Sequence, residues 1–425
     1  MLTAKRAARS TSFSVTPTSA RPSLRSSRTA ASPTASAATP ATTISSLPNS
    51  NTQKSARSIY SSTNTNHTNQ THITNTMKRL IVLIVAAGLA AAGLNAADQV
   101  NYRSPAPAGA WTLAVLPDTQ GYTDGFPEVF TCQTRWIAAN RDARNIKFVL
   151  QAGDITNRNT HPQWLAARQS IDVLVKAKVP FALVPGNHDI GVWGASKNVP
   201  NYKRDTLMNG YFLSADYKHS VKRGYFEPYH MENTYQTFNT PWGSFLVLAL
   251  EFFPRNAVID WANTIVKKFP DHKVILLTHA YLYHDNSRYD RATDKAVKRV
   301  APSTRYDTHK HPDGSNDAED MWKKLVSKHP NFLFVISGHV LGDGTGYLVS
   351  KGEHGNDVHQ MMVNYQPGIV PDRGYGGAGF LRLLEFQPDG KTIKVASYSP
   401  FFDQWLEDDD QQYTITLREP VAVKK

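Results

Sequence analysis

Five short apolar runs of the chain each end in a residue that can bind a metal ion or move a proton. Asp118 follows the first run, Asp154 the second and Asn187 the third. His279 follows the fourth run and His339 the fifth. Carboxylate, carboxamide and imidazole ligands without any thiolate suit Zn, Fe or Mn, and they do not suit a structural cysteine-rich zinc site. The residue types therefore predict metal-dependent chemistry.

The runs that carry these residues have the length and β-branched content of strands buried on both faces. They cover residues 113–116, 146–150, 181–184, 274–277 and 332–336. Helical spacing of apolar residues follows candidate N-caps at Thr160 and Asn316, and it recurs over residues 258–266. Alternation of strands with helices predicts an α/β fold, in which ligand sites lie beyond the carboxyl ends of the strands. We therefore expect all five residues at one edge.

Other segments have the pattern of hairpins and successive strands. Residues 234–239 and 244–250 flank a turn that contains Pro241 and Gly243, and four more strands are predicted over residues 358–364, 379–386, 392–397 and 413–417. A mixed two-sheet sandwich flanked by helices accommodates all of these elements.

One aspartate or histidine at the end of a strand is more often a turn former or a solvent-facing group than a ligand. Five such residues at the same end of consecutive strands reverse that expectation. Their order along the chain also matches a known pattern. Residues 111–418 resemble the calcineurin-like metallophosphoesterases through Gly153-Asp154, the run from Gly186 to Asp189, His279 and Gly338-His339.

The resemblance implies a four-layer αββα sandwich of two mixed β-sheets flanked by helices. It also implies two divalent metal ions about 4 Å apart. Asp154 would bridge the two metals. Asn187, His279 and His339 would complete the main site, for Fe, Zn or Mn, and Asp118 would serve the second site.

The activity implied is that of a phosphoric ester hydrolase acting on phosphomonoesters or phosphodiesters. A metal-activated hydroxide would attack phosphorus, and His188 would protonate the departing oxygen as a general acid. Asn157 stands where the family often has an aspartate that orients the catalytic histidine. An asparagine can still accept the ring N–H of His188, although it lacks the charge that would stabilise an imidazolium.

Two positions depart from the family pattern in a way that affects one metal. The first motif reads Asp118-Thr119-Gln120, where the family usually has a histidine third, and the last motif ends at Leu341 instead of a histidine. The second site would retain Asp118, Asp154 and the carbonyl oxygen of Gln120. Such an all-oxygen set suits Mn or Mg, held more weakly than the metal of the main site.

Three nearby residues could replace the missing imidazoles: Asp343, His354 and His359. Residues of these types in such segments are more often ordinary loop residues. The departures also keep open an alternative function, a degenerate single-metal module that binds a phosphorylated or polysaccharide ligand without turnover. His188 argues against that alternative, because a binding module has no use for a leaving-group acid.

The N-terminal part of the chain has the composition of a targeting segment. Residues 1–76 contain no Asp or Glu and are predicted to be a disordered leader, absent from the mature protein. Residues 77–97 have the basic start, apolar run and small-residue end of a signal peptide. The run is short for a membrane anchor, whereas an organellar transit peptide covering the leader stays open. We expect a secreted or periplasmic protein, with residues 98–425 as the metallophosphoesterase domain.

The net charge of +12 comes mostly from this leader. Residues 1–97 hold ten of the 47 Lys and Arg residues and none of the 35 Asp and Glu residues, so 37 minus 35, or +2, remains for the rest. The charge therefore implies no nucleic-acid partner. The partner expected is a small-molecule or polymeric phosphoester, without a stable membrane anchor after signal cleavage.

Overall fold

The computed structural model describes residues 105–191, 193–194, 197–198, 203–296, 306, 308–367 and 374–423. The predicted leader and signal peptide, residues 1–97, lie outside the described residues. Among the helices of the described ranges, none is long and apolar enough to cross a membrane.

The first sheet is mixed and contains the strands that carry Asp118, Asp154 and Asn187. Its strands are β1 (Trp111–Leu116), β2 (Ile146–Gln151), β3 (Phe181–Leu183), β13 (Leu381–Phe386), β14 (Thr392–Ser399), β15 (Gln404–Leu406) and β16 (Tyr413–Thr416). Their order across the sheet is β15-β14-β13-β1-β2-β3, with β16 paired to β14. Strands β1, β2 and β3 run parallel, whereas β13 is antiparallel to both β1 and β14.

The second sheet is also mixed and carries the two histidine strands. Its strands are β6 (Lys222–Tyr225), β7 (Thr234–Thr240), β8 (Gly243–Ala249), β9 (Lys273–Leu277), β10 (Phe332–Ser337), β11 (Thr345–Lys351) and β12 (Asp357–Val363). Their order across the sheet is β11-β12-β10-β9-β8-β7-β6, in which β8, β9, β10 and β12 run parallel. Strands β4 (Trp193–Gly194) and β5 (Lys197–Asn198) form a separate two-stranded ribbon.

Helices cover the outer face of each sheet. The α-helices described are α1 (Gln120–Gly125), α2 (Pro127–Asn140), α3 (His161–Lys176), α4 (Asn256–Lys268), α5 (Arg291–Ala296) and α6 (Ala318–Lys324). Short 3-10 turns occur at Asn187–Asp189, Met208–Gly210, Ser214–Tyr217, Thr308–Lys310 and Val326–Lys328.

Three apolar cores define the layers. Inward residues of both sheets, such as Leu113 of β1 and Ile275 of β9, form the central core. The alternate residues face outward: Ala114 packs in a second core with residues of α2 and α3, and Leu276 packs in a third core with residues of α4 and α6. Strands buried on both faces explain why the runs read as continuously apolar. The predicted αββα sandwich of two mixed sheets is confirmed.

Both predicted helix caps are wrong in detail. Helix α3 begins after Thr160, as expected, but the Thr160 side chain makes no capping hydrogen bond, and Gln163 accepts from the backbone N–H of Arg158. Helix α6 is capped by Asp317, which accepts from the N–H of Asp320 at 3.0 Å. The Asn316 amide instead donates to the carbonyl of Pro254. The side chains of Gln163 and Asn316 thus bind partners outside the predicted caps.

Candidate metal centre

The carboxyl ends of parallel strands from both sheets meet at one edge. Asp118, Asp154 and Asn187 follow β1, β2 and β3 of the first sheet. His279 and His339 follow β9 and β10 of the second sheet. The two groups touch, because the backbone N–H of His339 donates to both carboxylate oxygens of Asp118, at 3.1 and 3.2 Å. The five residues expected at one edge are therefore neighbours in space.

Four of these side chains converge around one ring nitrogen. Nε2 of His279 lies 3.2 Å from Asp154 Oδ1, 3.2 Å from Asn187 Oδ1 and 3.1 Å from His339 Nδ1. The possible ligand atoms of Asp154, His279 and His339 all lie within 4.8 Å of one another. Two oxygens and two imidazole nitrogens pointing at one position form a mixed donor set suited to a divalent transition metal.

The orientation of His279 is set by a backbone carbonyl. Its Nδ1–H donates to the carbonyl oxygen of Ala152 at 2.8 Å, and the side chain is fully buried. Because a carbonyl can only accept, Nδ1 carries the proton and Nε2 faces the cluster. Metal-binding histidines are commonly oriented in this way.

Close backbone approach makes two glycines necessary. A Cβ on Gly338 would collide with the carboxylate of Asp118, and a Cβ on Gly186 would collide with that of Asp154. Asp154 and His339 themselves have left-handed backbone conformations, with φ of 47° and 75°. Such conformations are unfavourable for residues other than glycine, and they are often found at functional sites.

Burial and mutual charge shift the pKa values of the cluster. Burial raises the pKa of Asp118 to about 8, while His279 opposes the rise and Asp154 adds to it. Burial would also raise the pKa of Asp154, but His279, His188 and His339 hold it below its usual range. Burial lowers the pKa of His279, yet Asp154 and Asp118 outweigh it and raise that pKa to about 9. The buried carboxylates thus favour positive charge at this position.

A buried carboxylate that the sequence did not single out ties two loops together. Asp189, fully buried, accepts from the N–H groups of Gly186, Ile155 and Thr156 at 2.7 to 2.9 Å. Burial and the nearby charge of Asp154 raise its pKa to about 6. It joins the loop after β2 to the loop after β3 and so positions Asp154 against Asn187. The sequence did contain a signal for Asp189, because this residue directly follows His188 in the motif from Gly186 to Asp189.

His188 lies at the rim of this cluster, and its contact with position 157 differs from the expectation. Its Nδ1–H donates to the backbone carbonyl of Asn157 at 2.7 Å. The side chain of Asn157 points away and donates to Asp124 at 2.8 Å. The backbone N–H of His188 donates to Asp154 Oδ1 at 2.9 Å. The prediction that the Asn157 side chain accepts the ring proton is wrong, because the loop turns its carbonyl toward the ring.

Two carboxamides that sequence reasoning missed hold Asp118. Asn364 Nδ2 and Gln366 Nε2 donate to Asp118 Oδ2 at 3.1 and 3.0 Å. Both residues follow β12, which is parallel to β10, so they reach the same edge as His339. The predicted strand over residues 358–364 could have indicated them, because its carboxyl end belongs to that edge.

The alternative ligands considered for the second site lie elsewhere. Asp343 accepts from the N–H of Thr345 and lines a separate cavity of about 450 Å³. His354 lies in the loop between β11 and β12 and donates to the carbonyl of Lys328. His359 is buried in β12, with Nδ1 2.6 Å from the hydroxyl of Tyr347. None of the three lines the cavity next to the cluster.

A cavity of about 380 Å³ opens beside the cluster. Its polar lining residues are Gln120, Asp154, Asn187, His188, His339 and Gln366, and its apolar or aromatic ones are Tyr283, Tyr289, Tyr306, Val340 and Leu341. Phe252 packs against the cluster, with its ring centroid 5.6 Å from those of both His279 and His339. The cavity thus combines polar groups with aromatic side chains, as ligand sites commonly do.

The donor set fits a metal. Beyond the four groups around His279 Nε2, the Oε1 atom of Gln120 is buried without a hydrogen-bond partner among the described residues. An acceptor left in this state costs free energy unless a cation or water satisfies it. Gln120 and Asp118 therefore offer oxygen atoms next to the main cluster, whereas Leu341, 47% exposed, offers none.

The chain is similar to proteins from several sources. It is 29% identical over 298 residues to YvnB, an uncharacterized protein of Bacillus subtilis (strain 168), and the match covers 68% of this chain and 20% of that protein. The chain thus spans about a fifth of the length of that relative.

Among solved structures, it is similar to the purple acid phosphatase PPD1 from yellow lupin (Lupinus luteus) seeds, with 14% identity, 72% of this chain and 54% of that chain covered, and a TM-score of 0.43. A second similar structure is GAP50, the anchor in the inner membrane complex of Plasmodium, with 10% identity, 74% and 91% covered, and a TM-score of 0.36.

The family model described as calcineurin-like phosphoesterase matches residues 112–339, more than half of the chain. The matched region begins in β1 and ends at His339, so it contains His188 and all five residues that meet at the sheet edge. The chain belongs to the calcineurin-like phosphoesterase family.

Proposed function

We propose that this protein is a metal-dependent hydrolase of phosphomonoesters or phosphodiesters. The observation that carries the proposal is the convergence of Asp154, Asn187 and His339 on Nε2 of His279, with His188 on the same cavity. Family membership supports the reaction class, since the converging residues occupy the matched region.

The main metal would be held by Asp154, Asn187, His279 and His339, and its mixed N and O ligands suit Fe, Zn or Mn. Asp154 would also face a second metal, for which Asp118 and the Gln120 carbonyl oxygen supply oxygen ligands suited to Mn or Mg. When bound, the two cations would neutralise the phosphoester charge and lower the pKa of the water that serves as nucleophile.

The protein's own residues would handle the leaving group. With Nδ1–H donated to the Asn157 carbonyl, His188 is held in one ring orientation, and Nε2 is the nitrogen that can deliver a proton to the departing oxygen. The tyrosines of the cavity would contact the organic part of the ester. Tyr283 is fixed by donating its hydroxyl to Asp294 at 2.8 Å, and its ring packs edge-on against Tyr289 at 4.0 Å.

A second candidate, a single-metal module that binds without turnover, is favoured by one observation. Position 341, where the family usually has a histidine ligand, holds a leucine that cannot bind a cation. This candidate predicts one bound metal and no hydrolysis.

Metal content and turnover of the purified protein test the two candidates together. We expect bound divalent metal and hydrolysis of p-nitrophenyl phosphate or bis(p-nitrophenyl) phosphate, with turnover lost after chelation and restored by Mn or Mg. A His279→Ala variant should lose the tightly held metal and the activity. Metal bound without hydrolysis of either ester would favour the binding module, and a protein that binds no divalent metal would contradict both.

We also propose that the protein is exported, because residues 80–94 form an apolar run after a basic start at Met77. The mature protein is then expected to begin near Ala97. N-terminal sequencing of protein recovered outside the cytoplasm tests this, and residues from before Met77 on that protein would contradict signal cleavage near Ala97.

A further inference from the structure

The segment directly after β12 reaches the centre with two side chains. Asn364 is fully buried and Gln366 is half-buried. Tyr365, between them, is buried in the central core, where its hydroxyl donates to Gln411 at 3.0 Å. The carboxamides on either side of it both donate to Asp118. The anchored tyrosine therefore leaves both carboxamides on the side of Asp118.

Local hydrogen bonds hold this segment in place. The N–H of Asn364 donates to the carbonyl of Gly344 at 2.8 Å, and the N–H of Gln366 donates to Oδ1 of Asn364 at 2.9 Å. The Asn364 side chain thus accepts from the backbone at one end and donates to Asp118 at the other. Its amide orientation is fixed by both partners, and Gln366 is placed relative to it.

The two amides act on one oxygen of Asp118. Oδ2 accepts from Asn364 and Gln366 at 3.1 and 3.0 Å, and the N–H of His339 is shared between the two oxygens. A carboxylate oxygen offers about two lone-pair directions. The two amide donors therefore use the capacity of Oδ2, and Oδ1 is the oxygen left to bind a cation.

We propose that Gln366, with Asn364, is a positioning residue of the second cation site and turns Oδ1 of Asp118 toward the cation. The inference rests on the proposed function, because it concerns the second cation site. Leu341 supplies no ligand to that site. Both amides are neutral, so they stabilise the Asp118 anion without competing with the cation as a positive charge would. Groups that orient a metal ligand in this way typically contribute 10- to 100-fold to metal affinity.

The inference predicts unequal effects on the two metals. Gln366 donates to Asp118 at 3.0 Å, whereas the first cation would be held by the four groups around His279 Nε2. Removing its amide should weaken the second cation about 10- to 100-fold and leave the first within about twofold. A residue that mattered only for folding would affect both cations and the thermal midpoint together.

Calorimetric titration of the metal-free full chain with Mn²⁺ tests this, using Gln366→Met, which keeps the side-chain length and removes the donor. Gln366→Asn is the second variant, because it keeps the amide and withdraws it from Asp118. Gln412→Met, at a half-buried glutamine before β16, is the matched control. Thermal midpoints of the metal-free proteins monitor folding.

We expect the second Mn²⁺ equivalent to bind more weakly in both Gln366 variants. The affinity for the first equivalent and the thermal midpoint should be unchanged. Gln412→Met should behave like the unaltered protein. Unchanged affinity for the second equivalent in both variants would overturn the inference, as would loss of both equivalents with a lowered midpoint. If the unaltered protein binds no Mn²⁺ at all, the proposed function fails, and the inference fails with it.

Discussion

His188 and Asn157 are one residue pair in which type and position suggest a contact that the backbone makes instead. The ring proton goes to the Asn157 carbonyl, and the Asn157 amide goes to Asp124. A backbone carbonyl can hold the ring as a side chain would, and every residue type has one. The contact therefore does not depend on which residue stands at position 157. The two positions should therefore respond very differently to mutation.

His188→Gln should retain the tightly bound metal and lower kcat by roughly 10² to 10⁴, the usual contribution of a general acid. The loss should be smaller for esters whose leaving groups are acidic, because these need less proton transfer. Rates for a series of aryl esters, measured with metal content, check the prediction. An equal loss across the series would remove His188 from this role.

Asn157→Ala is the matched control for that series. Since the His188 ring contacts the carbonyl and not the side chain of Asn157, we expect kcat within a few-fold of the unaltered protein. A loss as large as that of His188→Gln would mean that the side chain, rather than the backbone, orients the ring.

Strand β12 contributes to both the metal centre and the packing of the second sheet. Its carboxyl end delivers Asn364 and Gln366 to the metal centre, and its middle packs His359 into the sheet, 5% exposed and against the ring of Phe334. Burial lowers the pKa of His359 to about 4, although Asp357 opposes the shift. The strand therefore carries a group that resists protonation in the folded state.

This predicts a loss of stability in mild acid. The unfolded chain protonates His359 near pH 6.5, whereas the folded state accepts that proton only near pH 4. The free energy of unfolding should therefore fall as pH drops below 6.5, by roughly 1 to 2 kcal/mol at pH 5 for this group. The penalty is complete below pH 4 and absent well above 6.5. Urea unfolding at several pH values measures it.

His359→Gln should reduce this dependence, because glutamine does not titrate and can still hydrogen-bond to Tyr347. His354→Gln, at an exposed position of the same hairpin, serves as the control. Equal slopes for all three proteins between pH 6.5 and 5 would show that His359 takes up its proton in the folded state.

The metal centre lies where the two sheets meet. Asp118, Asp154 and Asn187 come from the first sheet, and His279 and His339 come from the second. A cation bound by residues of both sheets would join the halves of the sandwich at this edge. The buried carboxylates also gain the positive charge that favours their ionised forms.

Metal removal should therefore lower thermal stability. A cation present at about 100 times its Kd stabilises the folded state by about 2.7 kcal/mol. For a domain of more than 300 residues, that corresponds to a shift in Tm of roughly 4 °C. Thermal unfolding with Mn²⁺ and with chelator measures the shift.

His279→Ala should show little or no such shift, because it removes the nitrogen on which the other ligands converge. The same Tm for the unaltered protein with and without cation would contradict binding to the folded state. A shift preserved in His279→Ala would place the stabilising cation at another position.

Much of the fold and of the candidate site was open to prediction because the relevant signals are local. A short apolar run indicates a strand buried on both faces, and the residue after the run is the one that reaches the sheet edge. Asp118, Asp154 and His339 were found in this way. The predicted sandwich followed from the same alternation of runs and helical spacing.

By itself, then, the sequence determined which residue types arrive at the metal centre and in what order, because those are properties of short segments. Only the tertiary structure decided which donors meet which acceptors. Gln366 reaches Asp118 across 248 positions of the chain, because β12 pairs in parallel with β10 and Tyr365 anchors the segment that follows β12. The contact of His188 with the carbonyl of Asn157, and that of Asn316 with the carbonyl of Pro254, likewise depend on packing between distant segments, which spacing along the chain does not encode.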